Sequence, residues 1–429
     1  MKINVTTLGC PKNIVDSEYL AGQLVDKHVQ FTDEAEAADV VIINTCAFIL
    51  PAREEAIEAI LEAVALKNSG SAKRIYVTGC LPQRYREELE KEIPEVDGFF
   101  SGKDFREIGR EIGQLLNCET RNFPWQRLIQ SPNHYAYLKI SEGCDNRCLY
   151  CSIPLIKGNY QSKPLTDLVV EAERLVDHGV KELILVAQDT TYYGWDNKDR
   201  NALPRLIKSL TKIAQLKWIR ILYTHPAHLT ERFIKLFGEE EKLCRYIDMP
   251  IQHISDKVLK AMGRSITEKE IRKKIANLRA AEPEIGIRTT FMVGYPGETD
   301  EDFQLLKNFV AEVKFERLGV FKFLPEEGTK AALLNHQIEN ELMEARYLEI
   351  METQYKISEE RNRQFLDQVV TVLVDEKDET DNYFLGRTEW DSPQIDNLVH
   401  VRGDIQIGEF FRAKIERTDV YDLWAKKVD

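Results

Sequence analysis

The chain has 429 residues, of which 43% are hydrophobic and 30% are charged, and this suits a large soluble protein of two to four domains. No run of 18 consecutive apolar residues is present, so the sequence excludes an apolar membrane-spanning helix. The net charge is −13, which disfavours nucleic acid at long range and favours basic partners.

The N-terminus and the cysteine content predict a compartment. The first ten residues contain one lysine and lead directly into a strand-like run, without the charged and apolar regions of a signal peptide. We therefore expect a cytoplasmic protein. Its eight cysteines should then not form disulfides, and any clustered subset is better explained by metal or redox chemistry.

Residues 1–117 show three strand-and-helix repeats. Apolar strand patterns at residues 3–8, 39–44 and 74–78 are each followed by a helical pattern. Continuous apolar strands that alternate with helices predict a parallel α/β sheet. The polar stretch that follows, residues 118–133, contains Pro and Asn and is interpreted as a linker.

Residues 134–364 repeat the same alternation over a longer span. Six strand patterns are separated by helical ones, at residues 136–140, 182–187, 219–223, 246–249, 285–293 and 318–323. They predict a partial (β/α)6 barrel with its site at the carboxyl ends of the strands. The charged helical pattern at residues 339–365 is expected to pack on the barrel as a closing helix.

Residues 365–429 change character. Four short β-rich runs, at residues 369–374, 383–388, 398–402 and 410–415, are separated by Asp, Asn and Gly. This pattern predicts a small antiparallel barrel. The segment has 15 acidic and 8 basic residues, a net charge of −7, for which ordinary solubility is the alternative explanation to a basic partner.

Cys144, Cys148 and Cys151 place three thiolates within eight residues, directly after the first predicted barrel strand. A 4Fe–4S cluster normally takes four thiolates, so three leave one iron open to a substrate or cofactor. Zinc is the alternative, but it needs a fourth ligand, and the nearest candidates are His178 and His134, beyond a predicted helix and a predicted strand.

This segment resembles the signature of the radical S-adenosylmethionine superfamily, Cys-x-x-x-Cys-x-aromatic-Cys, with Tyr150 as the aromatic residue. The resemblance implies that the open iron chelates the amino and carboxylate groups of S-adenosylmethionine. One electron then cleaves this cofactor to methionine and a 5′-deoxyadenosyl radical. Tyr150 would pack near the adenine.

Cys10, Cys46 and Cys80 each follow a predicted strand of the first domain directly. In a parallel sheet all three would leave the same carboxyl edge, where open α/β sheets bind ligands. They are therefore a second candidate set of cluster ligands, and Gly9 and Gly79 would let the backbone approach the cluster closely. The alternative is three ordinary buried cysteines. Cys118 and Cys244 fit neither set and are expected to be structural.

Two cysteine triads and a β-rich tail resemble the methylthiotransferase family over essentially the whole chain. The resemblance implies an N-terminal cluster domain (1–117), a radical S-adenosylmethionine barrel (134–364) and a C-terminal TRAM barrel (365–429). Five segments look like the branch of the family that modifies a ribosomal protein: Leu8-Gly-Cys-Pro-Lys-Asn13, Asp16-Ser-Glu18, Gly294-Tyr-Pro-Gly-Glu-Thr299, Phe323-Leu-Pro-Glu-Glu-Gly-Thr329 and Tyr421-Asp-Leu-Trp-Ala425.

The resemblance implies methylthio transfer to the β-carbon of an aspartate in small-subunit ribosomal protein S-twelve. It also implies two 4Fe–4S clusters, two uses of S-adenosylmethionine and an external low-potential electron donor. The family often has Arg where Lys157 and Lys163 stand, and this weakens the transfer of contacts from that loop. Modification of adenosine in tRNA is the nearest alternative, although stable nucleic-acid binding is not expected of a tail with this charge. A non-catalytic iron–sulfur carrier is the alternative from another class.

Gln188, Arg288 and Gly294 lie at or in predicted barrel strands and are candidates for contacts to S-adenosylmethionine, together with Tyr150. Ordinary polar structure of the barrel is the alternative for these three. His225 and His253 also lie at strand ends, where hydrogen-bonded structural histidines are expected.

Overall fold

The computed structural model describes residues 1–102, 104–118, 126–381 and 383–428. Its first part is a five-stranded parallel sheet in the order β2-β1-β3-β4-β5, with helices on its faces. The bounds of these elements are β1 Lys2–Thr7, α1 Pro11–Gln23, β2 Gln30–Phe31, β3 Val40–Thr45, α2 Leu50–Asn68, β4 Arg74–Gly79, α3 Cys80–Glu92, β5 Gly98–Phe99 and α4 Phe105–Leu115. The central strand β3 is buried throughout because helices cover both faces of the sheet.

The second part contains six parallel strands in two neighbouring sheets, ordered β10-β9-β6 and β11-β12-β13. Its elements are β6 Tyr135–Lys139, β7 Ser141–Glu142, α5 Ile153–Lys157, β8 Gln161–Ser162, α6 Leu165–Asp177, β9 Glu182–Val186, α7 Ala202–Leu210, β10 Trp218–Ile221, α8 Glu231–Glu239, β11 Tyr246–Asp248, α9 Asp256–Ala261, α10 Glu268–Ala281, β12 Gly286–Val293, α11 Asp300–Val313, β13 Arg317–Lys322 and α12 Asn340–Arg363.

The two sheets of this part are joined at Ile219. Its backbone N–H donates to the carbonyl of Lys242 at 2.7 Å, and its own carbonyl accepts from Cys244 at 2.9 Å. The strands therefore curve into a partial barrel, whose apolar side chains form one large buried cluster under the surrounding helices. The predicted partial barrel is confirmed.

The third part is a closed five-stranded barrel in the order β14-β15-β16-β18-β17. Its strands are β14 Val369–Lys377, β15 Phe384–Arg387, β16 Val399–Arg402, β17 Phe410–Thr418 and β18 Leu423–Lys427. The sequence pattern predicted the first four strands. The fifth, β18, closes the barrel by pairing with β17 and, in parallel, with β16.

The segment interpreted as a linker is partly packed. Residues 119–125 lie outside the described residues. Beyond them, the backbone N–H of Leu128 donates to the carbonyl of Glu18 at 3.0 Å, and the side chain of Arg127 is only 2% exposed. Residues 126–133 therefore lie fixed between α1 and the barrel.

Among the described residues, no helix is both long enough and apolar enough to cross a membrane.

Candidate functional site

The first cysteine triad lies along one edge of the N-terminal sheet. Strands β1, β3 and β4 are parallel neighbours, so they end at the same edge. Cys10 precedes α1, Cys46 follows the last residue of β3, and Cys80 is the first residue of α3. The structure thus brings together three cysteines that lie up to 70 positions apart in the sequence.

Two glycines make this approach possible. Gly9 has φ of +93°, and a Cβ atom at this position would lie 2.7 Å from the Cβ and 3.0 Å from the Sγ of Cys46. Gly79 has φ of +99°, and a Cβ there would lie 2.4 Å from the carbonyl oxygen of Thr45. Any larger residue would therefore push the loops of Cys10 and Cys46, or of Cys46 and Cys80, apart.

Burial disfavours the thiolate form of the cysteines in this triad. Burial raises the pKa of Cys80 to about 12, although the neighbouring Lys157 lowers it. Burial also raises the pKa of Cys46, and negative charge at Cys10 adds to the effect. Binding of a metal centre must therefore displace protons from these thiols.

The second triad lies on the loop after β6 and β7, at the mouth of the partial barrel. The backbone N–H of Cys144 donates to the carbonyl of Gly158 at 3.0 Å, and that of Leu149 donates to the carbonyl of Met262 at 2.9 Å. These bonds anchor the loop at both ends. Burial, with a smaller contribution from negative charge at Cys148, raises the pKa of both Cys144 and Cys151 to about 12.

The spacing of the sulfurs tests which metal centre each triad fits. Among the residues that the structure describes, one set of three His, Cys, Asp or Glu side chains has all its ligand atoms within 4.8 Å of one another, and it contains no cysteine. At least one sulfur–sulfur distance in each triad therefore exceeds 4.8 Å. A tetrahedral zinc with Zn–S of about 2.3 Å needs sulfurs about 3.8 Å apart. The ligands of a 4Fe–4S cluster bind different irons and lie farther apart, so both triads fit the cluster better than zinc.

The remaining two cysteines take no part in either triad. All eight cysteines are free. Cys244 is fully buried behind β10, and Cys118 lies half-buried just beyond α4. Both positions agree with the structural roles expected of them.

Beside the second triad lies a polar group that the sequence analysis missed. Asp189 accepts hydrogen bonds from Asn146 at 2.8 Å and from the hydroxyl of Thr191 at 2.5 Å, and it lies 2.6 Å from His228 Nδ1. Burial would raise the pKa of Asp189, but the hydrogen bond from His228 and the nearby His225 hold it at about 2. Asn146 lies between Cys144 and Cys148, so this group fixes the cluster loop to the barrel.

The barrel mouth also contains buried polar atoms without a hydrogen-bond partner among the described residues. They are Gln188 Oε1, Gln252 Oε1, His253 Nε2 and Arg264 Nε. Buried polar atoms are rarely left unpaired, so each of these side chains is a candidate contact for a polar ligand. The sequence signal for Gln252 is its place shortly after the strand predicted at residues 246–249. The structure adds that its backbone is left-handed, with φ of +74°.

The four predicted cofactor contacts have different surroundings. Tyr150 lies half-buried at the mouth, and Arg264 donates to its hydroxyl at 3.3 Å. Gln188 is one of the residues with an unpaired oxygen. Gly294 has φ of +77°, and a Cβ there would lie 2.1 Å from Met343, so packing of α12 explains this glycine. Arg288 is paired with Asp248 at 3.0 Å and with Asp396 of the C-terminal barrel at 3.2 Å. All four contacts stay predictions.

A buried ion-pair network joins α1 to the barrel. Arg127 pairs with Glu18 and, at 2.6 Å, with Glu171, and the hydroxyl of Tyr19 also donates to Glu171 at 2.6 Å. Nearby, Lys139 pairs with Asp16 and, at 2.6 Å, with Glu142. Asp16 and Glu18, which the sequence offered as part of a motif, therefore fix the N-terminal sheet against the barrel.

Lys157 connects this network to the first triad. Its Nζ lies 3.5 Å from Asp16 and 3.7 Å from Glu142, and its charge lowers the pKa of Cys80. Lys157 therefore places a positive charge beside the first triad, as an arginine at this position would, but without the planar guanidinium group. Lys163 lies farther along, where its Nζ donates to the hydroxyl of Tyr19 at 2.8 Å.

Family models match three parts of the chain. They are "Uncharacterized protein family UPF0004" over residues 2–101, "Radical SAM superfamily" over residues 138–310 and "TRAM domain" over residues 368–428.

Curated relatives match the chain over its full length. A protein of Trichlorobacter lovleyi is 44% identical over 100% of this chain and 98% of its own length. A protein of Citrifermentans bemidjiense is 43% identical over the same shares, and one of Flavobacterium johnsoniae is 43% identical over 99% and 98%. All three bear the name ribosomal protein uS12 methylthiotransferase RimO.

Solved structures share the fold at low sequence identity. The radical S-adenosylmethionine methyltransferase TsrM of Kitasatospora setae, with cobalamin and a 4Fe–4S cluster bound, has a TM-score of 0.54 at 14% identity, covering 75% of this chain and 74% of its own. The cobalamin-dependent S-adenosylmethionine radical enzyme OxsB has a TM-score of 0.54 at 12% identity, covering 83% and 57%. At these identities the likeness shows the fold alone.

Proposed function

The chain belongs to the RimO family of ribosomal protein uS12 methylthiotransferases, and from that premise we propose that it attaches a methylthio group to the β-carbon of one aspartate in this small-subunit ribosomal protein. An aliphatic C–H bond offers no acidic proton, so proton transfer by side chains alone does not activate it. When bound, a reduced 4Fe–4S cluster and S-adenosylmethionine supply the radical chemistry that removes such a hydrogen.

The observation that carries the proposal is the pair of cysteine triads held at one interface. Cys10, Cys46 and Cys80 would hold one 4Fe–4S cluster, and Cys144, Cys148 and Cys151 the other. The mouth of the barrel and the edge of the N-terminal sheet are locked together by buried ion pairs of Asp16 and Glu18. A methylthio donor at one triad and a radical source at the other would therefore be held at a fixed separation.

The residues around the second triad would bind and orient S-adenosylmethionine. Three thiols leave one coordination position for the cofactor. The unpaired oxygens of Gln188 and Gln252 would then accept from its amino or hydroxyl groups, while Tyr150 covers the mouth. These side chains are half-buried, and together they would limit the access of water to the radical.

The fold supports a division into residues 1–117, a connecting segment at 118–133, a barrel at 134–364 and a TRAM domain at 365–429. We propose these boundaries as the functional units. Residues 126–133 of the connecting segment would act as a joint, because Arg127 pairs with Glu18 of α1 and with Glu171 of the barrel.

The expected setting follows from the chemistry. We propose a cytoplasmic enzyme whose substrate is uS12, free or in the small ribosomal subunit, and whose electrons come from an external low-potential donor. Cysteines free of disulfides agree with a reducing compartment. Because the C-terminal segment has a net charge of −7, a basic ribosomal protein is favoured over a phosphate backbone as the partner.

Mass spectrometry of uS12 and of tRNA from matched strains with and without this gene tests the proposal. Replacement of one hydrogen by a methylthio group adds about 46 Da, as expected of carbon–hydrogen functionalisation by a radical cofactor. We expect that increment on one aspartate of uS12, and no gene-dependent methylthioadenosine in tRNA. An unmodified uS12 together with modified tRNA would overturn the substrate and leave the chemistry standing.

A further inference from the structure

Lys12 presents a cation at the site. It lies near the start of α1, two residues after Cys10, and its Nζ lies 3.5 Å from the centroid of the Tyr223 ring. Both side chains are half-buried, so the ammonium group is held in place yet open to an incoming group. The face of an aromatic ring attracts a cation. Burial opposes the charge of Lys12, but Cys10 and Tyr223, which also hydrogen-bonds the lysine, outweigh burial and raise its pKa. An ammonium group has three N–H donors, so a further oxygen partner can still be accommodated.

No carboxylate among the described residues lies within 4.0 Å of Lys12 Nζ. The neighbouring cations differ from it in this respect. Lys139 and Lys157 both contact Asp16 and Glu142, and Arg288 contacts Asp248 and Asp396. The nearby carboxylates are therefore engaged by other cations. Lys12 faces Cys10 and Tyr223, and more weakly Glu142, and its ammonium group can still donate to an anion from outside the chain.

Tyr223 is held in an unusual conformation to support this lysine. Its φ is +59°, a left-handed value that a bulky residue rarely adopts. Two hydrogen bonds maintain it: the backbone N–H donates to Asp248 at 2.9 Å, and the carbonyl accepts from Thr190 at 2.9 Å. Backbone strain of this kind costs about 1–3 kcal/mol and persists mainly at functional sites.

The position of Lys12 is between the two triads. On one side it follows Cys10 by two residues. On the other side, Tyr223 contacts Thr190, the neighbouring Asp189 binds Asn146, and Asn146 lies within the second triad. A group bound to Lys12 would therefore lie beside Cys10 and next to the residues that hold the loop of the second triad.

We propose that Lys12 determines specificity by binding the side-chain carboxylate of the substrate aspartate. The inference rests on the proposed function and deepens it. The β-carbon of aspartate is bonded directly to that carboxylate, so a charge-assisted hydrogen bond from Lys12 fixes the carbon that reacts. With Asn in place of Asp at this position of uS12 the bond would lose its charge assistance, because the amide oxygen still accepts a hydrogen bond but carries no charge.

The test compares the affinity of the iron-loaded enzyme for two forms of uS12, with Asp or with Asn at the modified position. The variants are Lys12→Met, Lys12→Arg and, as a matched control, Lys73→Met. Lys73 lies in the same domain but directly before β4, at the opposite edge of the sheet, where it pairs with Asp39.

The wild-type enzyme and Lys73→Met should bind the Asp form roughly 10- to 100-fold more tightly than the Asn form, which is the usual worth of a hydrogen bond to a charged group. Lys12→Met should bind both forms equally, because it removes the donor that distinguishes them. Lys12→Arg should keep part of the preference. Iron content checks that each variant is folded, and Lys12→Gln replaces Lys12→Met if the latter loads less iron.

Two results would overturn the inference. One is equal affinity of the wild-type enzyme for the two forms, and the other is an undiminished preference in Lys12→Met or Lys12→Gln. A wild-type enzyme that neither binds nor modifies either form would instead refute uS12 as the substrate, so failure of the proposed function is distinguishable from failure of the role of Lys12.

Discussion

Replacing Arg127 by Met should weaken the joint between the N-terminal sheet and the barrel. The side chains of Arg127, Glu18 and Glu171 are each 2% exposed or less. Arg127 contacts both carboxylates and also donates to the carbonyl of Tyr137 at 3.0 Å. Its removal would leave two buried carboxylates without their main partner.

The loss in the free energy of unfolding depends on the hydrogen bonds that Glu18 and Glu171 keep after Arg127 is removed. Loss of one partner of a buried ion pair costs about 3–5 kcal/mol, because a buried charge is left uncompensated. Two carboxylates are affected here, but Tyr19 still donates to Glu171 at 2.6 Å and the N–H of Gln130 still donates to Glu18 at 2.9 Å. We therefore expect about 3–5 kcal/mol in total, a large share of the roughly 5–15 kcal/mol that stabilises a typical protein.

The loss should depend on pH with a definite sign. Burial raises the pKa of Glu171, but Lys163 and Arg127 outweigh burial and leave it below its ordinary value of 4.5. A carboxyl group with a lowered folded pKa contributes stability above the unfolded value, and that contribution is lost as pH falls through the folded pKa. The difference between wild type and Arg127→Met should therefore be largest near pH 7 and should shrink as the pH falls below about 4.5.

Urea denaturation of the iron-free chain, followed by tryptophan fluorescence at pH 7 and pH 4, measures this effect. Arg86→Met is the control, since Arg86 and Glu90 form an exposed pair about half accessible to solvent, which contributes about 0.5 kcal/mol or less. Adding Glu18→Gln and Glu171→Gln to Arg127→Met should recover part of the stability, because the unpaired charges are then removed. A shift at pH 7 no larger than that of Arg86→Met would refute the reasoning.

Two further perturbations test the site itself. Gly9→Ala should lower iron content from about eight toward about four atoms per chain, because the new Cβ would lie 2.7 Å from the Cβ of Cys46. The control Gly70→Ala should load iron fully, because Gly70 is also left-handed, with φ of +84°, but has open space around it. Equal iron content in the two variants would contradict the steric argument. Gln188→Leu should weaken S-adenosylmethionine binding roughly tenfold through loss of one hydrogen bond, as measured by calorimetry on the iron-loaded enzyme. The control Gln354→Leu should bind as wild type, although it removes another buried oxygen, on α12, that has no partner among the described residues. Unchanged binding in Gln188→Leu would assign that residue to barrel structure.

The sequence was sufficient to place the cysteines of the first triad. Cys10, Cys46 and Cys80 each follow an apolar run with strong strand character, and parallel strands end at a common edge. Their convergence could therefore be predicted without knowledge of any contact. The strand pattern also predicted the partial barrel, because its period is a local property of the chain.

The joint between the domains could not be predicted in this way. Arg127 meets Glu18 and Glu171 across 109 and 44 positions of sequence, and no local pattern specifies which charges will pair after folding. The same limit applies to Lys12 and Tyr223, whose contact depends on how α1 docks against the barrel. Arg288, predicted to contact the cofactor from its strand position, is paired with Asp248 and Asp396 instead of being unpaired.

Closure of the C-terminal barrel was missed for a related reason. Residues 421–425 belong to a motif of the sequence, but a run of five residues is too short for the alternation of apolar and polar side chains to identify a strand. In the structure it forms most of β18, whose Trp424 stacks on His400 of β16 with ring centroids 4.8 Å apart. The partner strands thus define β18 more than its own sequence does.

The most direct measurement supplies the iron-loaded enzyme with uS12 and with S-adenosylmethionine whose methyl group carries three deuterium atoms. We expect the first triad to hold the sulfur that would carry the methyl group to the aspartate, and the second triad to hold the cluster that would supply the radical chemistry. The product from the wild-type enzyme should therefore gain about 49 Da instead of about 46 Da. The variant with Cys10, Cys46 and Cys80 changed to Ala should release 5′-deoxyadenosine but leave uS12 unmodified, and Cys118→Ala should behave as wild type. An unlabelled methylthio group from the wild-type enzyme, or a modified uS12 from the triple variant, would contradict the account.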